Sequence, residues 1–267
     1  MDNYFNNKVT WITGASSGIG EELAYALSTA GSQLILSGRR MDELERVKQA
    51  CSHPEQVQLL QLDLADAASL DDKAAAALNC FGHIDIMVHN GGITQRSLVV
   101  ETAMDVQRRI MEVDYFSYVA LTRALLPHFI ARKAGHFVVT SSVMGKIGTP
   151  MRSAYAAAKH ALHGFFDCLR AEVAADGIKV TILTPGYIRT NISLYALTNK
   201  AYGLGKPSEN IENGLPADRA AKQILKAIKR GSFEPYIGRF AAERIALWVN
   251  RLAPGLLIRM APKLVPK

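Results

Sequence analysis

Short apolar runs recur along the chain, and the stretches between them return an apolar residue every three or four positions. Runs rich in Val, Ile and Leu read as buried strands, and the longer period reads as amphipathic helix. The pattern predicts strands over 8–13, 33–37, 57–62, 84–89, 136–141 and 179–183, with a last one over 233–237. Helices are predicted over 18–30, 41–51, 66–81, 106–133, 153–175 and 216–229. Such alternation gives a mostly parallel sheet with helices on both faces, because parallel neighbours must be joined by a crossover. Seven strands are expected in that sheet. No Pro/Gly/Ser-rich linker or internal repeat divides the series, so the chain reads as one α/β domain over 1–267.

Two stretches leave this rhythm. Residues 191–215 hold Tyr195, Tyr202, Gly203, Gly205, Pro207 and Gly214 without a strand pattern. They follow the sixth strand at the carboxyl edge of the sheet, where an insertion is expected to cover a ligand as a lid. The tail, 240–267, carries Ile245, Leu247, Trp248, Leu252, Leu256, Ile258 and Met260 among Arg and Lys, and Pro254-Gly255 breaks it into two short helices. Charge sets the tail further apart. The 267-residue chain has a net charge of +7, and from Phe233 to Lys267 six basic residues stand against two acidic ones. A basic, apolar segment can lie in a membrane interface, or it can pack over a substrate mouth or a partner subunit. A nucleic-acid binder would need a basic stripe with interleaved aromatics, and none is visible, so no nucleic acid is expected as a partner. No run reaches the length of a membrane span, and the first residues lack a signal-like pattern. Cys51, Cys80 and Cys168 are too few and scattered for a disulfide framework or a zinc site. A cytoplasmic protein with reduced thiols is the expectation, with peripheral membrane contact through the tail left open.

The first strand runs directly into Thr13-Gly14-Ala15-Ser16-Ser17-Gly18-Ile19-Gly20 and then a helix. Glycines here allow a tight turn and close approach of backbone to a pyrophosphate, which the helix N-terminus then receives. No Lys-Ser/Thr pair closes the loop, so a nucleotide triphosphatase is disfavoured. The end of the second strand bears on which dinucleotide. An NAD site wants an acidic residue there for the ribose 2′-hydroxyl. This chain has Ser37-Gly38-Arg39-Arg40, with two guanidiniums for a 2′-phosphate and a serine hydroxyl to add. NADP(H) is therefore expected in preference to NAD(H). Asp63 and Leu64, after the third strand, are expected near the adenine, and His89-Asn90-Gly91-Gly92, which ends the fourth, is expected to flank the adenosine.

Tyr155 and Lys159 stand four residues apart on one face of a predicted helix. A carbonyl accepting hydride needs a proton at its oxygen, and a phenol serves only where its anion is favoured, as a nearby ammonium would do. Ser142, just past the fifth strand, can bond the same oxygen. With the glycine loop, these residues carry a resemblance to the short-chain dehydrogenases/reductases over essentially the first 190 residues. The stretches 153–172 and 90–96 resemble most the branch around dehydrogenase/reductase member 7 and the 11-beta-hydroxysteroid dehydrogenases. The resemblance implies a three-layer Rossmann fold with Ser142, Tyr155 and Lys159 as catalytic residues. Tyr155 would be acid and base, Ser142 would bind the substrate oxygen, and Lys159 would lower the phenol's pKa. It implies a Pro-Gly turn at Pro185-Gly186, with Tyr187, Ile188 and Thr190 at the nicotinamide end. It further implies a lipophilic carbonyl or alcohol substrate, and a homodimer or homotetramer through the helices over 106–133 and 153–175. Ile147, Tyr187, Leu194, Tyr195 and Leu197 suggest an apolar pocket.

Two positions depart from the family pattern. His89 replaces the first Asn of Asn-Asn-Ala-Gly, with a perturbed contact near the adenosine as the expected result. Asp114 replaces an Asn that helps to link the catalytic lysine to water, and its carboxylate is expected to raise the lysine's pKa and weaken the proton relay. The alternative function is a dinucleotide-binding regulator or scaffold with weak or no turnover, to which Asp114 alone lends weight.

Overall fold

The computed structural model describes residues 4–199, 205, 209–239 and 241–263. Strands β1 (Val9–Thr13), β2 (Gln33–Gly38), β3 (Val57–Gln61), β4 (Ile86–His89), β5 (Gly135–Thr140) and β6 (Ile178–Pro185) follow in chain order, with two-residue strands β7 (Ile188–Arg189), β8 (Leu215–Pro216) and β9 (Tyr236–Ile237) after them. The helices are α1 (Gly18–Thr29), α2 (Met41–Gln49), α3 (Leu70–Phe81), α4 (Met104–Met111), α5 (Ser117–Arg132), α6 (Ser153–Glu172), α7 (Glu209–Glu212), α8 (Ala217–Arg230), α9 (Ala241–Leu252) and α10 (Pro254–Met260).

The seven-stranded sheet has the order β3-β2-β1-β4-β5-β6-β9 with every pairing parallel, while β7 and β8 pair separately. Successive strand residues face opposite layers, as the two-residue period requires. Trp11, Ile35, Met87 and Phe137 pack with Leu121, Phe129 and Phe166 on one face. Ile12, Leu36, Val88 and Val138 pack with Leu23, Leu44 and Ile224 on the other. Each fully buried side chain of this kind contributes on the order of 2 kcal/mol of burial, so two filled layers fix the strand order that carries the loops. The strand order reverses between β1 and β4. The loops after β1, β4, β5 and β6 therefore gather at one carboxyl edge, where open α/β sheets bind ligands.

The predicted helix over 106–133 is the main difference from the periodicity. It is three pieces, α4 and α5 joined by a π-helical turn at Glu112–Phe116. Such a turn inserts an extra residue per bond and re-aims side chains, which is why π-turns recur at functional positions. Here it directs Asp114 into the interior, where the residue is fully buried. The last strand is shorter than the predicted 233–237. Pro254 opens α10 at its first turn, where its missing N–H is not needed. Of the expected lid, 191–215, residues 200–204 and 206–208 lie outside the described residues; the rest carries a short turn at Asn191–Ser193, α7, and the β8 strand against Ile188.

Candidate active site

The groove begins at the end of β1. Gly18 has left-handed backbone (φ +61°), and a side chain on Gly20 would overlap the Gly14 carbonyl. Only glycines allow this turn, which starts α1 directly over the strand end. Ser17 makes no side-chain cap on α1, so the first amides keep their donors for an anion. Thr190 faces the loop across the groove, its methyl 3.0 Å from where a Gly18 Cβ would stand. Between them lies a cavity of about 410 Å³, lined in part by Ser16, Ser17, Gly18, Arg40, Arg46, Arg189, Thr190 and Tyr195. Arg46 is committed to Glu21 and Glu43, whereas the Arg40 side chain, among the described residues, reaches only the Ser16 hydroxyl, at 3.4 Å. Ile19 is half-buried in the first turn of α1. Arg39 is exposed and does not line this cavity.

Three strand ends are stitched together behind the groove. The Asn90 and Gly91 amides both donate to Thr13 Oγ1, at 3.0 and 3.1 Å, and Asn90 Nδ2 donates to the Thr13 carbonyl at 3.2 Å. Thr140 Oγ1 reaches Asn90 Oδ1 at 3.5 Å. Leu64 packs against Gly91, and Asp63 accepts the Ala65 amide at 3.0 Å, closing the turn after β3. Gly92 lies against the Asp114 carboxylate. Pro185 ends β6, Gly186 donates its amide to the Ile237 carbonyl at 2.9 Å, and Ile188 is buried beside them. Thr13 opens the glycine motif read from the sequence but has no role of its own in that reading, and Thr140 is absent from it.

Two expectations at the groove are corrected. Ser37 is fully buried, and its hydroxyl accepts the Trp11 indole N–H at 2.8 Å. It points into the core and away from a 2′-phosphate. His89 is also buried in the core. Its Nε2 pairs with Thr122 Oγ1 at 2.9 Å and its ring stacks on Tyr118 with centroids 4.8 Å apart. Burial pushes its pKa down to about 3, so it is a neutral packing residue of the α5 face rather than an adenosine contact.

The expected catalytic residues meet where β5 ends and α6 begins. Ser141 Oγ donates to the Lys159 carbonyl at 3.1 Å, and Lys159 Nζ donates to the Thr140 carbonyl at 3.1 Å. These bonds clamp the turn that carries Ser142 onto the helix that carries Tyr155. Ser142 caps the short helix Val143–Gly145, its Oγ accepting the Met144 amide at 3.1 Å. The Ser142 proton is then left to donate elsewhere. Tyr155 is half-buried, with Lys159 Nζ 5.6 Å from its ring centroid and 5.3 Å from that of Tyr118. The buried Tyr118 hydroxyl donates to the Gly91 carbonyl at 2.8 Å.

Asp114 touches this group directly. One carboxylate oxygen accepts the Ile93 amide at 2.8 Å, and the other lies 3.2 Å from Lys159 Nζ, near enough for an ion pair but outside hydrogen-bond alignment. Burial works against the Lys159 ammonium, but Asp114, with Tyr118 and Tyr155, more than offsets it and raises the lysine's pKa. The lysine is thus held charged. Arg152, which sequence reading passed over, caps the same region. It precedes α6, is buried, and donates to Thr94 Oγ1 at 2.5 Å and to the Gln95 carbonyl at 3.1 Å. Among the apolar-pocket candidates, Ile147 is buried beneath α10, Leu197 bridges to Gln95, and Tyr195 is exposed on the groove.

Comparison with known proteins matches this architecture. The profile of the family described as short chain dehydrogenase covers residues 8–200. A relative from Anopheles gambiae, "Dehydrogenase/reductase SDR family protein 7-like", is 45% identical over 272 residues, covering 99% of this chain and 85% of its own. A short-chain dehydrogenase from Streptomyces avermitilis is 30% identical with a TM-score of 0.83, covering 97% of this chain and 96% of that one. An alcohol dehydrogenase from Thermococcus sibiricus, complexed with 5-hydroxy-NADP, is 25% identical with a TM-score of 0.73, covering 87% and 97%.

Proposed function

The chain belongs to the short-chain dehydrogenase family, and on that premise we propose that it is an NADP(H)-dependent oxidoreductase interconverting a carbonyl and a secondary alcohol on a lipophilic substrate. The observation that carries this reading is the clamped group of Ser142, Tyr155 and Lys159 beside a glycine-loop groove. Ser142, its oxygen occupied by the Met144 amide, donates its proton to the substrate oxygen. Tyr155 gives that oxygen a proton as it becomes an alkoxide, and takes one back in the reverse direction. The Lys159 ammonium favours the phenolate left behind and would also hold the nicotinamide ribose. When bound, the dinucleotide supplies or accepts the hydride.

The groove fits such a group. Gly14, Ser16, Ser17, Gly18, Ile19, Gly20 and Thr190 would hold the pyrophosphate, Asp63, Leu64, Asn90, Gly91 and Gly92 the adenosine, and Pro185, Gly186 and Ile188 the nicotinamide. The end of β2 itself carries no carboxylate; of the acidic residues lining the cavity, Glu21 and Glu43 are paired with Arg46 and Glu22 stands on α1, while Arg40, with Arg39 beside it, supplies positive charge. Solved structures of this fold hold either dinucleotide, a 5-hydroxy-NADP in the Thermococcus relative and NAD in one from Burkholderia phymatum, so the preference rests on the end of β2. We assign 191–215 as the substrate cover and assembly as a homodimer or homotetramer to α5 and α6, beside which Phe116 and Ile130 stand exposed. The C-terminal helices are assigned to peripheral membrane contact. The Asp114–Lys159 contact favours a second reading, a dinucleotide-binding protein with little turnover.

A carbonyl and alcohol panel assayed with NADPH and NADH tests both. Turnover is expected with NADPH in preference to NADH. Tyr155→Phe is expected to keep NADPH binding and lose about 10²- to 10⁴-fold in kcat. Full turnover in Tyr155→Phe sinks the mechanism, and intact NADPH binding without wild-type turnover selects the second reading.

A further inference from the structure

We propose that Arg152 anchors an anionic group, a carboxylate or a phosphate, carried by the substrate a few bonds from the reacting carbonyl; this rests on the oxidoreductase reading above. Arg152 is 9% exposed. A guanidinium keeps its charge in a protein, so its burial is costly unless an anion answers it. Among the described residues no carboxylate lies within ion-pair distance of it. The stretches 200–204 and 206–208 contain no Asp or Glu to supply one. Its bonds to described residues both leave from one terminal nitrogen and end on neutral oxygens, those of Thr94 and Gln95. The other N–H groups of the fork are left for a partner.

The surroundings add positive potential. Arg152 is the residue before α6, whose first turn has no acidic residue; the Ala154 amide there is taken by Gln95 Oε1 at 3.0 Å, so the guanidinium itself is the donor group left at that end. Burial lowers the arginine's pKa, the Arg96 charge lowers it further, and the hydroxyls of Tyr155 and Tyr187 oppose this. Geometry puts it near the expected proton donor: Arg152 stands three residues before Tyr155 at the start of α6, and its partners Thr94 and Gln95 lie in the loop after β4. A planar fork with unused donors, three residues before Tyr155 and without a carboxylate partner among the described residues, matches a bidentate oxyanion.

A purely structural strut would also bond Thr94 and Gln95, and the test separates the two. Four ketones of one carbon skeleton serve as probes: γ-ketononanoate and its methyl ester, and γ-ketononyl phosphate and its parent alcohol. Wild type is expected to prefer at least one anion over its neutral partner by about 10- to 100-fold in kcat/KM, and the preferred pair identifies carboxylate or phosphate. Arg152→Met is expected to collapse that ratio, mostly through KM, and Arg152→Lys to restore part of it. Equal use of anionic and neutral members by wild type overturns the proposal, and this holds even if the variants fail to fold. An equal fall of both members in Arg152→Met overturns it as well, because a strut serves every substrate alike. If wild type reduces none of the four and no other carbonyl, the oxidoreductase reading fails first and takes this one with it.

Discussion

At the scale of single residues the decisive contact is Asp114 with Lys159, 3.2 Å apart and shielded from solvent. Charges in such a place are screened little, so the carboxylate cancels much of the field that the ammonium sends toward the Tyr155 oxygen. The sign follows. With Asp114 ionised, the phenolate is favoured less than the lysine alone would favour it. Asp114→Asn removes the negative charge, keeps the amide able to accept from Ile93, and leaves the ammonium unopposed. The acid limb of the kcat/KM profile for alcohol oxidation is expected to move to lower pH, by about one unit or more. NADPH affinity measured alongside reports any loss of folding. A profile that stays in place removes Asp114 from the relay. This residue was legible in the sequence because it departs from a known pattern. Arg152 was not, because an arginine before a helix looks the same whether it meets solvent or the interior. Ser37 misled for a related reason: it was assigned to the ligand end of its strand, but its alternating position turns the hydroxyl onto Trp11.

At the scale of elements, the strand-helix alternation was readable almost throughout, since period and burial agree along β1 to β6. The π-turn at Glu112–Phe116 was not, because one extra residue within a continuous apolar stripe leaves the period nearly intact. The docking of α9 was equally hidden. Glu243, near its start, lies against Gly186, accepts the Tyr187 amide at 3.0 Å, and accepts the Tyr236 hydroxyl. Ala246, Leu247 and Val249 then pack with Leu257 over Val143 and Ile147, just beyond Ser142. One carboxylate thus ties the C-terminal helix to the turn over 185–187 at the end of β6. Glu243→Ala leaves the Tyr187 amide without its acceptor and removes one partner of the Tyr236 hydroxyl, at a cost of about 1–3 kcal/mol. For a chain of this size a lowering of Tm by several degrees is expected. Hydrogen exchange should quicken in α9 and in the turn 185–187 while β1 to β5 keep their protection. Unchanged exchange in α9 would mean that the apolar contacts alone hold it.

At the scale of the whole molecule the positive charge divides by use. Arg40 lies on the groove and Arg152 is buried at the start of α6, while Arg244, Arg251 and Arg259 are exposed on the C-terminal helices. The same helices expose Ile245, Trp248, Leu252, Leu256, Ile258 and Met260 on the side away from Val143 and Ile147. No helix among the described residues is long and apolar enough to cross a membrane, so any lipid contact of these helices is in the plane of the interface. Arginines beside an apolar face suit an anionic bilayer, where each adds about 1 kcal/mol. The full chain is expected to bind phosphatidylserine-containing vesicles, to bind phosphatidylcholine vesicles weakly, and to lose affinity as salt rises. Tryptophan fluorescence gives a clean readout, because of the two tryptophans Trp11 is wholly buried and Trp248 is 61% exposed. A blue shift on vesicle binding should vanish in Trp248→Phe. Truncation after Arg239 should abolish sedimentation with vesicles. Equal sedimentation of the truncated and full chains would assign the apolar face to something other than lipid, and a second protein subunit would then be the partner to seek by measuring the mass of the full chain in solution.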